Sequence, residues 1–156
     1  MSTAIRPVIA ADLAELVRMR NALWPEGGDK HPEYARHRIA GAPDSPFLAD
    51  FPSAVWVAQR SEGGLGGFVE VGIRSHAEGC YEGLPIAFIE GWWVDPDLRT
   101  RGVGRTLMDA AERWAKDRGC CEIGATALLS NVEAQRAHLA VGFAEEVRTV
   151  SFRKDL

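Results

Sequence analysis

Arg99-Thr100-Arg101-Gly102-Val103-Gly104-Arg105 lies between an apolar run, Ile86–Val94, and a stretch with helical spacing of apolar residues, Thr106–Arg118. This pattern predicts a strand, a glycine-containing loop and a helix, in that order. The backbone N–H groups at the start of a helix have no partner within the helix, and the helix dipole favours negative charge there. The stretch therefore predicts an anion-binding site of the kind that holds phosphate oxygens.

The glycine spacing separates this loop from two common nucleotide-binding loops. A dinucleotide-binding loop needs a third glycine three positions after the second, where this chain has Leu107. A nucleotide-triphosphate loop needs Gly-Lys-Ser/Thr, but Arg105 follows Gly104. Two interpretations stay open. The glycines and arginines bind a diphosphate, or they form a simple glycine turn with solvated arginines.

Composition limits the class of protein. The chain has 156 residues, of which 46% are hydrophobic and 26% charged, and this predicts one globular domain over residues 1–156. The net charge of −4 argues against a nucleic-acid partner and favours a small cationic amine. No apolar run approaches the roughly 18 residues of a membrane span, and the N-terminus lacks a signal-peptide pattern. We therefore expect a cytoplasmic protein without a membrane partner.

The chain predicts neither disulfides nor a metal site. The three cysteines, Cys80, Cys120 and Cys121, cannot all pair, and reduced thiols are expected. The four histidines are scattered along the chain, and no Cys-x-x-Cys occurs.

The periodicities predict an α/β fold in a single domain, with a mixed sheet and flanking helices. The predicted strands are Thr3–Pro7, Ser53–Arg60, Gly66–Ile73, Ile86–Val94, Cys121–Ala125 and Phe143–Arg153. The predicted helices are one from near Asp12 to Leu23, then Pro32–Gly41, Thr106–Arg118 and Asn131–Val141, of which the last two end at Gly119 and Gly142. Pro43, Pro46 and Pro52 predict an irregular loop.

The pattern Arg-x-x-Gly-x-Gly after Val94-Asp95-Pro96 resembles the cofactor loop of the GNAT superfamily of N-acetyltransferases. The resemblance implies the acetyltransferase (GNAT) fold and acetyl-CoA as the cosubstrate. It assigns the diphosphate of acetyl-CoA to the loop residues Thr100, Arg101, Gly102, Val103, Gly104 and Arg105.

Glu90 interrupts the apolar strand that precedes this loop. A carboxylate there must face a cleft or be paired, because burying it alone is costly. We therefore consider Glu90 as the general base for an amine, with pairing to a neighbouring arginine as the alternative. Gly91 predicts a bulge or a close approach, which would leave backbone N–H groups of Trp92, Trp93 or Val94 free for the thioester carbonyl. Since three strand residues span ~10 Å, a bridging water is expected.

Asn131 to Phe143 reads Asn-x-x-Ala-x-x-x-His-x-x-x-Gly-Phe, which is similar to the superfamily helix on the other wall of the cofactor cleft. That family commonly places a tyrosine four residues before the glycine, where it can protonate the departing thiolate. His138 stands there in this chain, and an imidazole can donate a proton near neutral pH. His138 is thus predicted as a cofactor-side residue first and a general acid second, with core packing as the alternative. The resemblance also implies that Asn131 binds the cofactor.

Over almost its whole length the chain resembles the small bacterial aminoglycoside 6'-N-acetyltransferases. The matching positions include Leu23-Trp24-Pro25, Ile73-Arg74, Phe88-Ile89-Glu90-Gly91, Gly119-Cys120, Glu122 and Gly142-Phe143-Ala144-Glu145. The resemblance implies a homodimer, and it places Trp24 and Glu90 around the amino sugar. Two further acids of the family fall at Thr126 and near Val147, and the aromatic loop residue that lines its antibiotic cleft falls around His76. We expect His76 and Thr126 at the substrate side.

The leading hypothesis is transfer of acetyl from acetyl-CoA to the 6'-amino group of an aminoglycoside by direct attack. One alternative keeps the chemistry with another small amine, such as an amino acid or a polyamine. A second alternative is a non-catalytic acyl-CoA-binding module.

Overall fold

The computed structural model describes residues 3–40, 52–81 and 83–156. The strands are β1 (Thr3–Pro7), β2 (Ser53–Arg60), β3 (Leu65–Arg74), β4 (Ile86–Val94) and β5 (Ile123–Gly124). The α-helices are α1 (Leu13–Leu23), α2 (His31–Ile39), α3 (Val103–Asp117) and α4 (Val132–Ala140). Short 3-10 turns cover Ala10–Asp12, Pro25–Lys30 and Pro96–Leu98.

The five strands form one sheet in chain order, β1 to β5. Neighbouring strands are antiparallel from β1 to β4, and β5 is parallel to β4. The predicted α/β mixed sheet is therefore confirmed. β4 pairs with β3 from Ile86 to Val94, whereas its pairing with β5 covers only Ala87 and Phe88. The edge of β4 beyond residue 88 is thus unpaired with β5, and we call the region beside this unpaired edge the wedge between β4 and β5.

Helix α3 covers one face of the sheet. Its apolar side carries Leu107, Ala111 and Trp114, which pack with Val69 and Val71 of β3 in the larger hydrophobic core. A helix with one apolar stripe is stabilised mainly by such packing. Gly119, with φ of 78°, follows the helix and adopts the left-handed conformation that commonly ends helices.

Helices α1 and α2 cover the opposite face. Leu16 and Met19 of α1 pack on Val57 and Phe68, and all four side chains are fully buried. Buried charges also lie on this face, and the ion pair between Arg20 of α1 and Glu70 of β3 is among them. We call this the α1 face of the sheet.

A bulge in β4 shapes the α1 face. Ile89 pairs with Val71 and Gly91 pairs with Glu70, so Glu90 is an extra residue without a partner in the ladder. The side chain of Glu90 lies over Gly72, and a β-carbon on Gly91 would point at Phe68 on the same side. The predicted bulge is confirmed, and it turns two consecutive residues toward one face.

The predicted strand Phe143–Arg153 is wrong for the chain as described. Residues 143–156 form no helix or strand, and Val150 and Phe152 are 77% and 91% exposed. A strand needs a neighbour for its backbone groups, and the outermost strand of the sheet, β5, is only two residues long. Residues 143–153 therefore carry the alternating apolar pattern, but no strand of the described chain pairs with them.

Other predictions differ only in their bounds. Helix α3 begins at Val103 rather than Thr106, because Gly102 takes a left-handed conformation (φ 84°) and lets the helix start directly after it. The strand predicted at Cys121–Ala125 is reduced to β5, since β4 offers it only two paired residues. Pro43 and Pro46 of the predicted loop lie outside the described residues.

Candidate active site

The loop between β4 and α3 presents backbone donors. The first bond within the helix runs from the Thr106 N–H to the Gly102 carbonyl at 3.0 Å. The N–H groups of Val103, Gly104 and Arg105 precede that bond. The first turn contains no acidic residue, and no side chain caps it. This end of α3 is suited to an anion, as predicted from its glycines.

Arginines tie the loop to its neighbours. The Arg99 side chain donates from Nε to the Val94 carbonyl at 3.0 Å, and its guanidinium lies 3.6 Å from Glu133 of α4. Arg105 donates to the carbonyl of Ala140 at the other end of α4. Arg101 remains exposed. The loop and α4 are therefore held together as one unit.

Asp95 fixes the point at which β4 turns into the loop. Its carboxylate accepts hydrogen bonds from both terminal nitrogens of Arg18 (3.1 and 3.0 Å), from Arg60 (3.0 Å) and from Trp93 Nε1 (2.9 Å). Burial opposes ionisation of Asp95, but the bonds from Arg18, Trp93 and Arg60 prevail and lower its pKa below the usual value. The carboxylate thus holds α1, the β2–β3 hairpin and β4 at a fixed spacing.

Trp92 lies between the loop and α4. A β-carbon at Gly104 would stand only 2.9 Å from Cζ2 of Trp92, so a glycine is needed for this approach. The Trp92 ring meets His138 edge-on at 5.3 Å between centroids, and His138 meets Phe143 in the same way at 5.3 Å. Trp92 Nε1 is buried and has no hydrogen-bond partner among the described residues. These rings form a wall beside the wedge between β4 and β5.

His138 and Asn131 each use one polar atom within α4. His138 Nδ1 lies 2.7 Å from the Ala134 carbonyl, which can only accept, so Nδ1 carries a proton. Neutral His138 then offers a lone pair at Nε2, and only the imidazolium form can donate from that atom. Asn131 caps the helix, because its Oδ1 accepts the Ala134 N–H at 3.1 Å. The amide NH₂ of Asn131 is not used in this cap.

Glu90 is paired with an arginine on the α1 face. The Arg74 guanidinium donates to Oε1 at 2.9 Å and to Oε2 at 2.6 Å, a bidentate arrangement. Arg74 also lies 3.6 Å from the ring centroid of Phe88. The Glu90 side chain is 20% exposed and that of Arg74 41%. Pairing with a neighbouring arginine is therefore confirmed, and the carboxylate still reaches solvent at the cleft.

Trp24 lies on the α1 face next to Glu90. Its indole covers Gly91, whose β-carbon, if present, would clash with Cη2 and stand 3.2 Å from Cζ2. His31 stacks on the indole with centroids 6.3 Å apart, and its Nε2 lies 2.7 Å from the Trp24 carbonyl. The guanidinium of Arg20 lies over the Trp24 ring, 4.8 Å from the indole centroid. The bulge thus brings Trp24 and Glu90, two of the predicted substrate residues, side by side.

The other two predicted substrate residues lie at the surface. His76 is exposed and pairs with Glu78 at 3.2 Å. Thr126 is exposed in the segment after β5. The sequence assigns no role to Arg74, Arg20 or Glu70. An acid at position 70 inside an apolar strand is the signal that points to Glu70, as the same pattern does at Glu90.

Residues 15–143 match the family described as "Acetyltransferase (GNAT) family". The chain belongs to this family. As a GNAT enzyme, it is an acetyl-CoA-dependent N-acetyltransferase, and the acetyltransferase fold expected from the loop is confirmed.

Curated relatives share nearly the full chain. An aminoglycoside N(6')-acetyltransferase type 1 from Klebsiella aerogenes is 40% identical over 99% of this chain and 98% of its own length. A protein of the same name from Stenotrophomonas maltophilia is 36% identical over 97% of this chain and 93% of its own.

Solved structures agree with this placement. AAC(6')-Iy in complex with the bisubstrate analogue CoA-S-monomethyl-acetylneamine matches with a TM-score of 0.85 at 29% identity, and the match covers 100% of both chains. AAC(6')-Ih from Acinetobacter baumannii matches with a TM-score of 0.85 at 28% identity over 99% of both chains.

Two further observations concern the described residues. Among residues 3–40, 52–81 and 83–156, no three His, Cys, Asp or Glu side chains are grouped as a metal ion would require. None of the helices in these ranges has both the length and the apolar character needed to cross a bilayer.

Proposed function

We propose that this GNAT enzyme transfers the acetyl group of acetyl-CoA to the 6'-amino group of an aminoglycoside. The observation that carries the proposal is the α1 face, where Trp24 and Glu90 lie together at the bulge of β4, next to the edge that faces the wedge. An aromatic wall beside a carboxylate suits an aminated sugar ring. The relatives at 36–40% identity are named for this activity.

The cofactor side extends from the wedge to the loop. We assign the diphosphate of acetyl-CoA to Thr100–Arg105, supported by the uncapped first turn of α3. We assign the thioester arm to the free edge of β4 at Trp92, Trp93 and Val94, where pairing with β5 has ended. The amide NH₂ of Asn131, which the cap does not use, is a further donor at the start of α4. These donors suit a phosphorylated, amide-containing chain.

The transfer needs one proton removed and one delivered. The amine nitrogen attacks the thioester carbonyl, the C–N bond forms, the C–S bond breaks, and the nitrogen loses a proton. We assign Glu90 to receive that proton through a water, because its backbone position is ~10 Å from that of Trp93 along the strand. Arg74 orients the carboxylate through two hydrogen bonds. The departing thiolate takes a proton from the imidazolium of His138 or from solvent.

His76 and Thr126 are assigned to the outer part of the acceptor site. Both are exposed polar residues, so their polar atoms are open to a ligand. The absence of a carboxylate at 126 predicts fewer charged contacts with a polycation than its relatives make. For this reason a second acceptor class, other small amines with fewer charges, stays a candidate.

We further propose one acetyltransferase domain over residues 1–156 that works as a cytoplasmic homodimer. The exposed, apolar-alternating residues Val150 and Phe152 support a second copy as the missing neighbour of the C-terminal segment. Free Cys80, Cys120 and Cys121 support a reducing compartment. Light scattering of the purified protein tests the dimer: a monomer at micromolar concentration contradicts it.

A thiol-release assay tests the activity. Purified protein with acetyl-CoA should release free thiol with kanamycin or tobramycin, and mass spectrometry should show one added acetyl group. The matched control is an aminoglycoside with a hydroxyl at the 6' position, which should give no turnover. Activity confined to amino acids or polyamines would establish the second acceptor class. Tight cofactor binding without turnover on any amine would indicate a binding module.

A further inference from the structure

A buried ion pair lies under the α1 face. The Arg20 guanidinium of α1 donates to the Glu70 carboxylate of β3, and the two residues are only 7% and 2% exposed. Arg38 of α2 also approaches Glu70, at 3.7 Å. Burying a pair of charges costs desolvation energy that their attraction often does not recover, so apolar residues of similar size would serve stability as well. The pair therefore calls for a role other than holding α1 on the sheet.

Arg20 contacts aromatic rings as well as the carboxylate. Its guanidinium lies 4.8 Å from the indole centroid of Trp24 and 5.6 Å from the ring of Tyr34. Its Nε is buried and has no hydrogen-bond partner among the described residues. A guanidinium over an indole face is favourable, more so when the pair is desolvated. Arg20 thus packs on the Trp24 ring, His31 also stacks on it, and Gly91 lies against its Cη2–Cζ2 edge.

Glu70 links this contact to the bulge. It is the ladder partner of Gly91, and the register shift that sets Glu90 apart comes directly after it. Glu70 fixes Arg20, Arg20 fixes the indole of Trp24, and the indole lies on Gly91 beside Glu90. The side chains of Glu70, Arg20 and Trp24 and the backbone of Gly91 form one closed set of contacts.

We infer that Arg20 and Glu70 are positioning residues for the acceptor site. They hold the Trp24 indole against the bulge, and so set the affinity for the amine without acting on the cofactor side. This inference rests on the proposed function, in which the Trp24–Glu90 face receives the amine. It predicts that removing both charges changes the KM for the acceptor and not the KM for acetyl-CoA.

The decisive variant is Arg20→Met/Glu70→Leu, which removes both charges of the pair, while Arg38 loses its contact with Glu70. We expect it to stay folded, with the KM for the acceptor raised about tenfold and the KM for acetyl-CoA within about twofold of the parent. A matched control is Arg6→Met/Asp12→Leu, which removes an ion pair at β1, the far side of the sheet from β4. That control should leave both KM values unchanged.

A double-mutant cycle tests whether the pair acts through Trp24. Trp24→Ala should raise the acceptor KM in the parent, but add little in the Arg20→Met/Glu70→Leu background, since contacting groups are not additive. Equal effects of Trp24→Ala in both backgrounds would overturn the inference. If the double variant does not fold, Arg20→Met alone provides the test, because it removes the guanidinium over Trp24 and leaves Arg38 beside Glu70.

A spectroscopic readout separates this inference from the proposed function. The emission of Trp24 is obtained as the difference between proteins with and without Trp24→Phe. Its quenching by acrylamide should increase about twofold in Arg20→Met/Glu70→Leu, because the ring loses the guanidinium that covers part of it. If the parent acetylates no aminoglycoside, the proposed substrate fails while this readout still decides the positioning role. Unchanged quenching and unchanged acceptor KM together would reject it.

Discussion

The indole of Trp24 lies directly on the backbone of Gly91, with no room between them for a β-carbon. The contact joins the end of α1 to the bulge in β4, and it places an aromatic surface beside the Glu90 carboxylate. Both residues belong to the proposed acceptor site. A single methyl group added at Gly91 tests how close this contact is.

Gly91→Ala should displace the Trp24 ring. We expect the free energy of unfolding to fall by about 1–3 kcal/mol, the usual cost of overpacking, and the acceptor KM to rise more than the KM for acetyl-CoA. Denaturant unfolding and steady-state kinetics measure the two effects. Gly72→Ala is the stability control, since its β-carbon would stand an ordinary 3.4 Å from Glu90 Oε1. An unaltered acceptor KM in Gly91→Ala would argue against Trp24 as part of the site.

Glu90→Gln should lower kcat by about 10²-fold or more, because the amide cannot accept the proton of the amine. The KM for acetyl-CoA should be unchanged, since Glu90 lies on the α1 face. Arg74→Met is the companion variant: it removes the bidentate partner but leaves a carboxylate, so its kcat should fall less. Normal turnover by Glu90→Gln would move the base to another group.

His138→Phe keeps a ring against Trp92 and Phe143 and removes the ionisable group. We expect acetyl-CoA affinity within about twofold of the parent and a kcat lowered about tenfold. This loss is smaller than the usual effect of removing a general acid, because solvent also supplies protons. His138→Ala should weaken acetyl-CoA binding as well. If kcat of His138→Phe equals that of the parent, the residue only forms part of the wall.

Thr100→Asn should stabilise the protein. Thr100 has φ of 61°, a left-handed conformation that a β-branched residue rarely adopts and that asparagine tolerates. We expect a gain of about 1 kcal/mol in the free energy of unfolding. Thr100→Val, which stays β-branched and loses the hydroxyl bond to the Arg99 carbonyl, should give no gain. Equal stability of the two variants would show that the loop stores no strain at this residue.

Asp95 should make the fold sensitive to acid. Its pKa is lower in the folded chain than in the unfolded one, so its stabilisation is complete above the unfolded value, about 4, and is lost as pH falls through the folded value. Asp95→Asn should cost about 1–3 kcal/mol at pH 7. The unfolding free energy of the Asp95→Asn variant should then vary less with pH below about 4 than that of the parent. Parallel pH curves would contradict this assignment.

Sequence alone located the parts of the fold that depend on local pattern. The bounds of β1, β2 and β4 were predicted as observed, because alternation and bordering prolines or glycines define such strands. The anion loop and the bulge followed from Gly102, Gly104 and Gly91. The strand at 143–153 failed because alternation indicates a strand but does not supply a neighbour for it.

The candidate site was predictable in its residue types but not in its contacts. Glu90 stood out as an acid in an apolar run, and Trp24 stood out beside Pro25. That these two meet across a bulge depends on register, which local pattern does not reveal. The partners Arg74, 16 residues from Glu90, and Arg20, 50 residues from Glu70, are contacts of tertiary packing.

The bulge in β4 separates two acids, Glu70 and Glu90, that have different roles. In an uninterrupted ladder Glu90 would stand directly across from Glu70 on one face, and like charges in that position repel. In the observed register Gly91 pairs with Glu70, which is sealed in the interior with Arg20, while the unpaired Glu90 reaches Arg74 and the solvent. Deleting Gly91 would therefore force the carboxylates of Glu70 and Glu90 together. Both the chemistry of the cleft and the electrostatics of the core would then be lost.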